Sequence, residues 1–98
     1  MNNHKKLITV EDACEKALQI YGDLYVESIR DVGYGYVVYT TSYPGVLKLA
    51  PPFCFYKDGS KVETFFFPFH IEEYRKSIKL DVPEKYRIKQ ETRKDEIL

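Results

Sequence analysis

The sequence predicts an α+β domain in which an N-terminal helix packs on a four-stranded antiparallel meander, followed by a short second helix and a charged tail. Three observations predict this fold. Apolar residues recur at helical spacing near the start of the chain, β-branched and aromatic residues dominate two later runs, and an Asp-Gly pair joins two alternating runs. The 98 residues suffice for one domain with a modest core.

The first element is a helix spanning Val10 to Tyr21. Thr9 is suited to the N-cap position, and Asp12 places an acid in the first turn, where it meets the positive end of the helix dipole. Gly22 is well placed to end the helix in a left-handed conformation. The apolar stripe that we expect to face the sheet consists of Ala13, Ala17, Leu18 and Tyr21.

Two strands follow the helix. Leu24 to Val32 is rich in β-forming residues, and Tyr34 to Thr41 is richer still. Gly33 and Gly35 indicate a tight or bulged connection, so the two strands form a hairpin. Pro44-Gly45 then favours a turn.

The stretch from Phe53 to Phe67 predicts a second hairpin, with Asp58-Gly59 as a two-residue type I′ loop. This loop pairs Phe53 with Thr64, and a slip of one residue would exchange the two faces of the hairpin. The face expected against the helix carries Phe53, Phe55, Val62 and Phe66. The other face, expected to be open to water or to a partner, carries Cys54, Tyr56, Lys61, Glu63 and Phe65.

A short second helix is predicted from His70 to Ile78, and Pro83 ends regular structure. Residues 83–98 hold five basic and four acidic side chains and form a tail that is either a solvated helix or disordered. The predicted domain therefore spans residues 1–82.

Composition argues against several kinds of partner. Fifteen basic and fifteen acidic side chains cancel, so no overall field attracts nucleic acid or an anionic membrane. No run approaches the length of apolar chain that crosses a bilayer, and the first residues lack the features of a secretory leader. These features favour a cytoplasmic protein with reduced thiols.

The sequence offers little catalytic or metal-binding chemistry. His4 and His70 have no spaced second ligand, and no glycine-rich phosphate loop is present. Cys54 and His70 could meet near the second hairpin, but a strand is not a position that lowers the pKa of a thiol. We therefore expect a protein that is not an enzyme, with no catalytic residue, no metal site and no cofactor.

Aromatic content is the unusual feature: the chain has nine Tyr, six Phe and no Trp. Alternation along the strands places some of these rings outside the core, and tyrosine-rich surfaces flanked by mixed charge are typical of protein interfaces. The predicted partner-binding residues are Tyr34, Tyr36, Tyr43, Tyr56 and Phe65, with Lys61 and Glu63 giving orientation.

The order of the motifs resembles a known family. The helix from Val10 to Tyr21 with spaced alanines, the strand Gly35-Tyr36-Val37-Val38-Tyr39, the proline-led phenylalanine-rich strand, the Lys57-Asp58-Gly59 turn and the closing helix with Tyr74 are similar to the bacterial immunity protein 35 type. The resemblance covers about residues 9–80. It implies a small cytoplasmic α+β domain that neutralises a bacterial toxin by binding it, and it implies no catalytic residues.

The sequence thus favours a non-enzymatic protein-binding domain, an immunity protein that binds a cognate toxin or effector. Three alternatives stay open. One is a small ligand-binding or enzymatic domain with a pocket between the first helix and the sheet, and another is an RNA-binding module that stacks bases on Phe65, Phe66 and Phe67. The third is homodimerisation through an edge strand, since the sequence leaves monomer and homodimer undetermined.

Overall fold

The computed structural model describes residues 7–43, 45 and 50–88. Predictions for Pro44 and for residues 89–98 of the tail lie outside the described residues. The elements, in chain order, are helix α1 (Val10–Tyr21), strands β1 (Tyr25–Asp31), β2 (Gly35–Thr41), β3 (Phe53–Tyr56) and β4 (Val62–Thr64), a 3-10 helix (Phe67–Phe69), helix α2 (Ile71–Lys76), strand β5 (Ile78–Leu80) and a second 3-10 helix (Glu84–Tyr86).

Helix α1 has the predicted bounds, and both of its ends form as the sequence indicates. Thr9 and Asp12 form a reciprocal capping box, in which each side chain accepts a hydrogen bond of 3.0 Å from the backbone N–H of the other residue. Gly22 adopts the left-handed conformation at φ 70° and donates to the carbonyl of Leu18. Both ends are therefore encoded locally.

The strands form one antiparallel sheet of five, in the order β4-β3-β2-β1-β5. The predicted register of the second hairpin is confirmed, because Phe53 pairs with Thr64 and Phe55 with Val62. The predicted loop type is wrong. Type I′ requires positive φ at both central residues, and among the described residues only glycines have positive φ, which excludes Asp58. The loop instead spans residues 57–60, between Tyr56 and Lys61.

The fifth strand replaces the end of the predicted second helix. Helix α2 stops at Lys76, and Ile78 then pairs with Asp31 while Leu80 pairs with Ile29. Strands β4 and β5 lie on opposite edges of the sheet. The chain between them must therefore cross one face of the sheet, carrying the first 3-10 helix and α2 over it.

The helix-facing core matches part of the prediction. Ala13 and Ala17 of α1 are fully buried against Phe55, and the ring of Tyr21 stacks on that of Phe53. Val62 and Phe66 were expected in the same core, and that expectation is wrong because both are exposed. They lie on or after β4, the short edge strand, outside the core that α1 covers.

The opposite face of the sheet is closed, contrary to the expectation of an open face. Val37, Cys54 and Phe65 form a second buried cluster there, packed against Tyr56 and Tyr74. Tyr74 belongs to α2, so the crossover segment is what covers this face. Phe65 is 1% exposed. It is therefore part of a core.

The core also extends past the predicted domain boundary at residue 82. Tyr86 is buried in the same cluster as Ala13 and Phe55, and its hydroxyl donates to Glu15 of α1 at 2.8 Å. Residues 83–88 thus pack on the domain, and the charged tail begins after them in the chain.

Candidate functional site

Three exposed phenylalanine side chains lie within four residues of one another on the segment that leaves β4. Phe66 is 46% exposed, Phe67 47% and Phe69 78%. The rings of Phe66 and Phe69 meet edge to face with their centroids 5.2 Å apart. We call Phe66, Phe67 and Phe69 the phenylalanine patch.

Local structure fixes the direction in which these rings project. Pro68 lies in the first turn of the 3-10 helix, where its fixed φ is suitable and its missing N–H needs no partner. Backbone bonds of 2.9 Å from Phe69 to Phe66 and from His70 to Phe67 close the turn. This turn carries Phe66, Phe67 and Phe69 past the end of β4, and all three side chains are exposed.

Contacts with the buried Phe65 on one side and the half-buried Tyr74 on the other hold the segment that carries the patch in place. Phe65 precedes it and stacks its ring on His70, with centroids 4.6 Å apart. Tyr74 meets Phe67 edge to face at 5.1 Å and carries the guanidinium of Arg30 over its ring at 4.5 Å. The patch is therefore a preorganised apolar surface.

Exposed apolar rings that adjoin one another are informative in a way that scattered ones are not. Single exposed hydrophobic side chains are ordinary, whereas contiguous patches mark sites of protein or membrane contact. Ile71, directly after this segment, is also exposed and extends its apolar character. The patch is thus the strongest candidate site among the described residues.

Four of the predicted partner-binding residues come together next to β4. The rings of Tyr34 and Tyr56 lie 5.0 Å apart, and the ammonium of Lys61 lies 5.1 Å from the centroid of Tyr56. The hydroxyl of Tyr56 donates to Glu63 at 2.8 Å, and Lys61 lies 3.7 Å from the same carboxylate. These four residues, called the tyrosine cluster, form a half-exposed polar group.

The hydroxyl groups of the tyrosine cluster are held protonated. The hydrogen bond to Glu63, assisted by desolvation, raises the pKa of Tyr56 to about 12. Burial raises the pKa of Tyr34 further, and its bond of 3.1 Å to Glu73 contributes to the shift. Both hydroxyls are therefore hydrogen-bond donors at neutral pH.

The other three predicted residues do not join this cluster. Phe65 is buried beneath it, so it cannot act as an exposed anchor as expected. Tyr36 packs against the helix-facing core on the opposite side of the sheet. Tyr43 is exposed but follows Thr41, at the end of β2 away from Gly35 and Tyr56. The seven residues therefore do not form one surface.

The sequence contained a signal for Phe67 and Phe69, which the prediction did not use as anchors. Four of the five residues from Phe65 to Phe69 are aromatic, and Pro68 interrupts them. A proline there ends strand alternation, so Phe67 lies where the alternation stops and the ring of Phe69, beyond the proline, has no sheet face to enter. The sequence-based expectation assigns Phe66 to the core, and it names Phe67 only in the base-stacking alternative.

Cysteine chemistry fits this structure poorly. Cys54 is buried beneath the second face, and burial raises the pKa of its thiol to about 12, so the thiolate is scarce at neutral pH. The ring of His70 is engaged by Phe65 and by Glu73, whose carboxylate lies 3.0 Å from Nδ1. Within the described residues, no three His, Cys, Asp or Glu side chains cluster as metal ligands would.

The packing of α1 also bears on the ligand-pocket alternative. Ala13, Cys14 and Ala17 are fully buried against the sheet. A groove of about 490 Å³ lies instead at the start of α1, beside the chain that follows β5, and it is wide open to solvent. Its lining includes Glu11 and Arg87 but neither Cys54 nor His70.

Comparison of the chain with protein-family models, with curated proteins and with solved structures found no match. The likeness to the immunity protein 35 type stays a prediction from motifs. In the part of the chain that the structure describes, no helix has the length and apolar character needed to cross a bilayer.

Proposed function

We propose that this chain is a non-enzymatic protein-binding domain and that the phenylalanine patch is its contact surface. The observation that carries the proposal is the exposure of Phe66, Phe67 and Phe69 on one hydrogen-bonded turn, where the rings of Phe66 and Phe69 also contact each other. A few anchor residues supply most of the binding energy in protein interfaces, and aromatic side chains, phenylalanine included, are enriched in interface cores.

Preorganisation supports a binding role for the patch. Ordering loops and side chains on binding costs free energy, about 0.5–1.5 kcal/mol for each immobilised side chain that has many rotamers. The bonds that close the turn and the contact between Phe67 and Tyr74 meet part of that cost in the free protein. More of the energy gained by burying the rings is then available for affinity.

The tyrosine cluster supplies a polar rim to the proposed contact. Lys61 and Glu63 lie on or beside β4, the strand from which the patch emerges, and they offer one charge of each sign. Polar groups at a rim contribute to orientation and specificity more than to affinity. This arrangement keeps the orienting role that the sequence suggested for these two residues.

The specific role that we propose is that of a cytoplasmic immunity protein, which neutralises a bacterial toxin or effector by covering part of its surface. The motif resemblance over residues 9–80 supports this role. Neutralisation by occlusion needs only a tight contact surface and no catalytic group, which agrees with a buried, protonated Cys54 thiol.

The test compares proteins that co-purify with the tagged chain from its native cells. We expect the wild-type chain to retain a specific partner, and Phe69→Ala to weaken its capture by about fivefold or more, which corresponds to about 1 kcal/mol. Phe69 is exposed, so the variant should keep its fold. The affinity of the purified pair gives the measurement.

Ile78→Ala is the matched control, because Ile78 is also an exposed apolar residue but lies in β5 at the far edge of the sheet. Equal binding by the wild type, Phe69→Ala and Ile78→Ala would contradict the assignment of the contact surface. An assay of the captured protein's own activity tests the immunity role separately. The wild type should inhibit that activity, and Phe69→Ala should need a concentration about fivefold higher for the same inhibition.

A further inference from the structure

The free edge of β4 is a second surface with its own chemistry. β4 is the last strand on its side of the sheet within the described chain. Val62 and Thr64 are exposed. An exposed edge strand presents unpaired backbone groups with which another strand can pair.

Hydrogen bonding to β3 determines which backbone groups of β4 face outward. The N–H of Tyr56 donates to the carbonyl of Lys61 at 3.1 Å, and the N–H of Phe65 donates to that of Pro52 at 2.8 Å. In an antiparallel pair these bonding positions alternate along the strand. The backbone of Lys61, Glu63 and Phe65 therefore faces β3, and that of Val62 and Thr64 faces the free edge.

The charges on β4 favour a second copy of the same strand. When two β4 strands pair antiparallel around Val62, Val62 lies opposite Val62 of the second copy, and Lys61 lies opposite its Glu63. Both Lys61–Glu63 pairs then fall at non-hydrogen-bonded positions, where side chains approach most closely. A register centred on Glu63 would instead place two carboxylates opposite each other.

We propose that this protein forms a symmetric homodimer in which β4 pairs with β4 of a second copy, in the antiparallel register centred on Val62. The two five-stranded sheets then join into one continuous sheet. Isologous contacts of this type are the commonest in soluble oligomers.

The backbone groups available at the edge fit this register. Each Val62 donates to the carbonyl of the other Val62, and each Thr64 donates to the carbonyl of Ser60 in the second copy. The N–H of Ser60 already donates to the carboxylate of Asp58 at 2.8 Å and is not needed. The contact is short, so the dimer is weak and its population depends on concentration.

The dimer leaves the phenylalanine patch free for the proposed function, although it places Lys61 and Glu63 of the tyrosine cluster at its own seam. Phe66 lies four residues from the two-fold axis, which is about 13 Å along a strand. Each end of the joined strands then carries one phenylalanine patch. The dimer does not depend on the partner-binding proposal, and it is tested with the purified chain alone.

The test is a charge-exchange experiment followed by sedimentation across a range of concentrations. The wild type should dimerise reversibly. Lys61→Glu places two carboxylates opposite each other at both pairs, and Glu63→Lys places two ammonium groups there. Each variant should raise the dissociation constant by about tenfold, since favourable pairs become unfavourable ones.

Mixing the two variants provides the decisive measurement. Their heterodimer restores a Glu–Lys pair at both positions, so an equimolar mixture should associate as tightly as the wild type. A wild type that stays monomeric at all concentrations overturns the dimer, and a mixture that associates no better than either variant overturns the register.

Lys79→Glu is the matched control for Lys61→Glu. It makes the same change in net charge, but on β5 at the opposite edge of the sheet. It should leave dimerisation unchanged, and an equal loss in this variant would overturn the proposal by showing a general charge effect. Circular dichroism of each variant confirms that folding is intact, and loss of dimer counts only for variants that pass this check.

Discussion

At the scale of single residues, Gly35 shows how tightly β2 and β3 pack. A Cβ atom at this position would lie 2.7 Å from Sγ of Cys54 and 2.8 Å from the carbonyl oxygen of Phe55. Its φ is not positive, so the backbone conformation itself would accept alanine. The need for glycine here is steric.

Gly35→Ala should therefore destabilise the fold by about 1–3 kcal/mol, as overpacking does in other cores. Adding Cys54→Ala removes the sulfur atom but leaves the backbone oxygen of Phe55 in place. The double variant should thus stay less stable than Cys54→Ala alone. Urea unfolding of the four proteins measures both steps.

Equal stability of Cys54→Ala and the double variant would contradict this explanation, because it would leave the sulfur as the sole obstacle. Overpacking at Gly35 should also affect the tyrosine cluster. Cys54 lies beneath this cluster, so any shift of β3 there moves Tyr56.

Phe65 and Phe66 show what sequence can predict about a single residue and what it cannot. Alternation placed them on opposite faces of the sheet, and the structure agrees in sending Phe65 to the second face. Whether a face of the sheet is covered at Phe65 or Phe66 depends on segments that lie elsewhere in the chain. α2 closes over Phe65, whereas nothing in the described chain buries Phe66.

At the scale of elements, the second hairpin was predicted correctly in register and incorrectly in its loop. A two-residue loop at Asp58-Gly59 and a four-residue loop over residues 57–60 are both centred on the same point of the chain. They therefore give the same pairs, including Phe55 with Val62. Burial of apolar residues selects the register, and the loop adapts to it.

Strand β5 was missed because its signal is not local. Ile78-Lys79-Leu80 is three residues long, follows a helical pattern and has no turn signal before it. Its conformation comes from pairing with Ile29, Arg30 and Asp31 of β1, fifty residues earlier. A further link, from Arg30 Nε to the hydroxyl of Ser77 at 2.6 Å, positions the start of the strand.

The second 3-10 helix was missed for a related reason. Its surroundings are charged, and Tyr86 is the single aromatic residue in the predicted tail. Composition described the segment correctly as polar but could not show that one ring returns to the core. Tyr86 nonetheless lies against α1, more than seventy residues from Ala13 in the chain.

Replacing Tyr86 tests whether this segment belongs to the folded unit. Tyr86→Ala should destabilise the domain by about 3–5 kcal/mol, since it removes a buried ring. Tyr86→Phe keeps the ring and removes only the bond to Glu15, so it should cost about 1 kcal/mol. If thermal unfolding shows both variants to be as stable as the wild type, the segment is not part of the cooperative unit.

At the scale of the whole molecule, the sheet is covered on both faces and differs at its two edges. β5 pairs with β1 only from Ile29 to Asp31. The part of β1 that does not pair with β5 contains a register shift between Val26 and Ser28. Bulges twist an edge away from pairing. β4 pairs regularly with β3 and has no such shift, so it is the edge that can accept a strand.

The stability of the fold should depend on pH in the alkaline range, because several cysteine and tyrosine side chains have raised pKa values in the folded state. Desolvation is the first cause that raises the pKa of Cys14 to about 11 and of Cys54 to about 12. The bond to Glu63 raises that of Tyr56 to about 12, and burial raises those of Tyr34 and Tyr86. In every case the folded state holds its proton more strongly than the unfolded chain.

The sign of the effect on stability follows from that difference. Below about pH 9, a group whose pKa is raised on folding is protonated in both the folded and the unfolded state. It therefore does not make the free energy of unfolding depend on pH there. Above that pH the unfolded chain loses protons first, so it binds fewer than the folded state and the free energy of unfolding falls. The fall should continue through about pH 12, where Cys54 and Tyr56 ionise in the folded state.

We therefore expect the denaturant midpoint to be constant near neutral pH and to decrease steadily from about pH 9 upward. Tyr56→Phe removes one of the titrating groups, so its decrease should be shallower than that of the wild type. A midpoint independent of pH over this range, or equal slopes for the wild type and Tyr56→Phe, would show that the hydroxyl of Tyr56 is not held by Glu63 in solution.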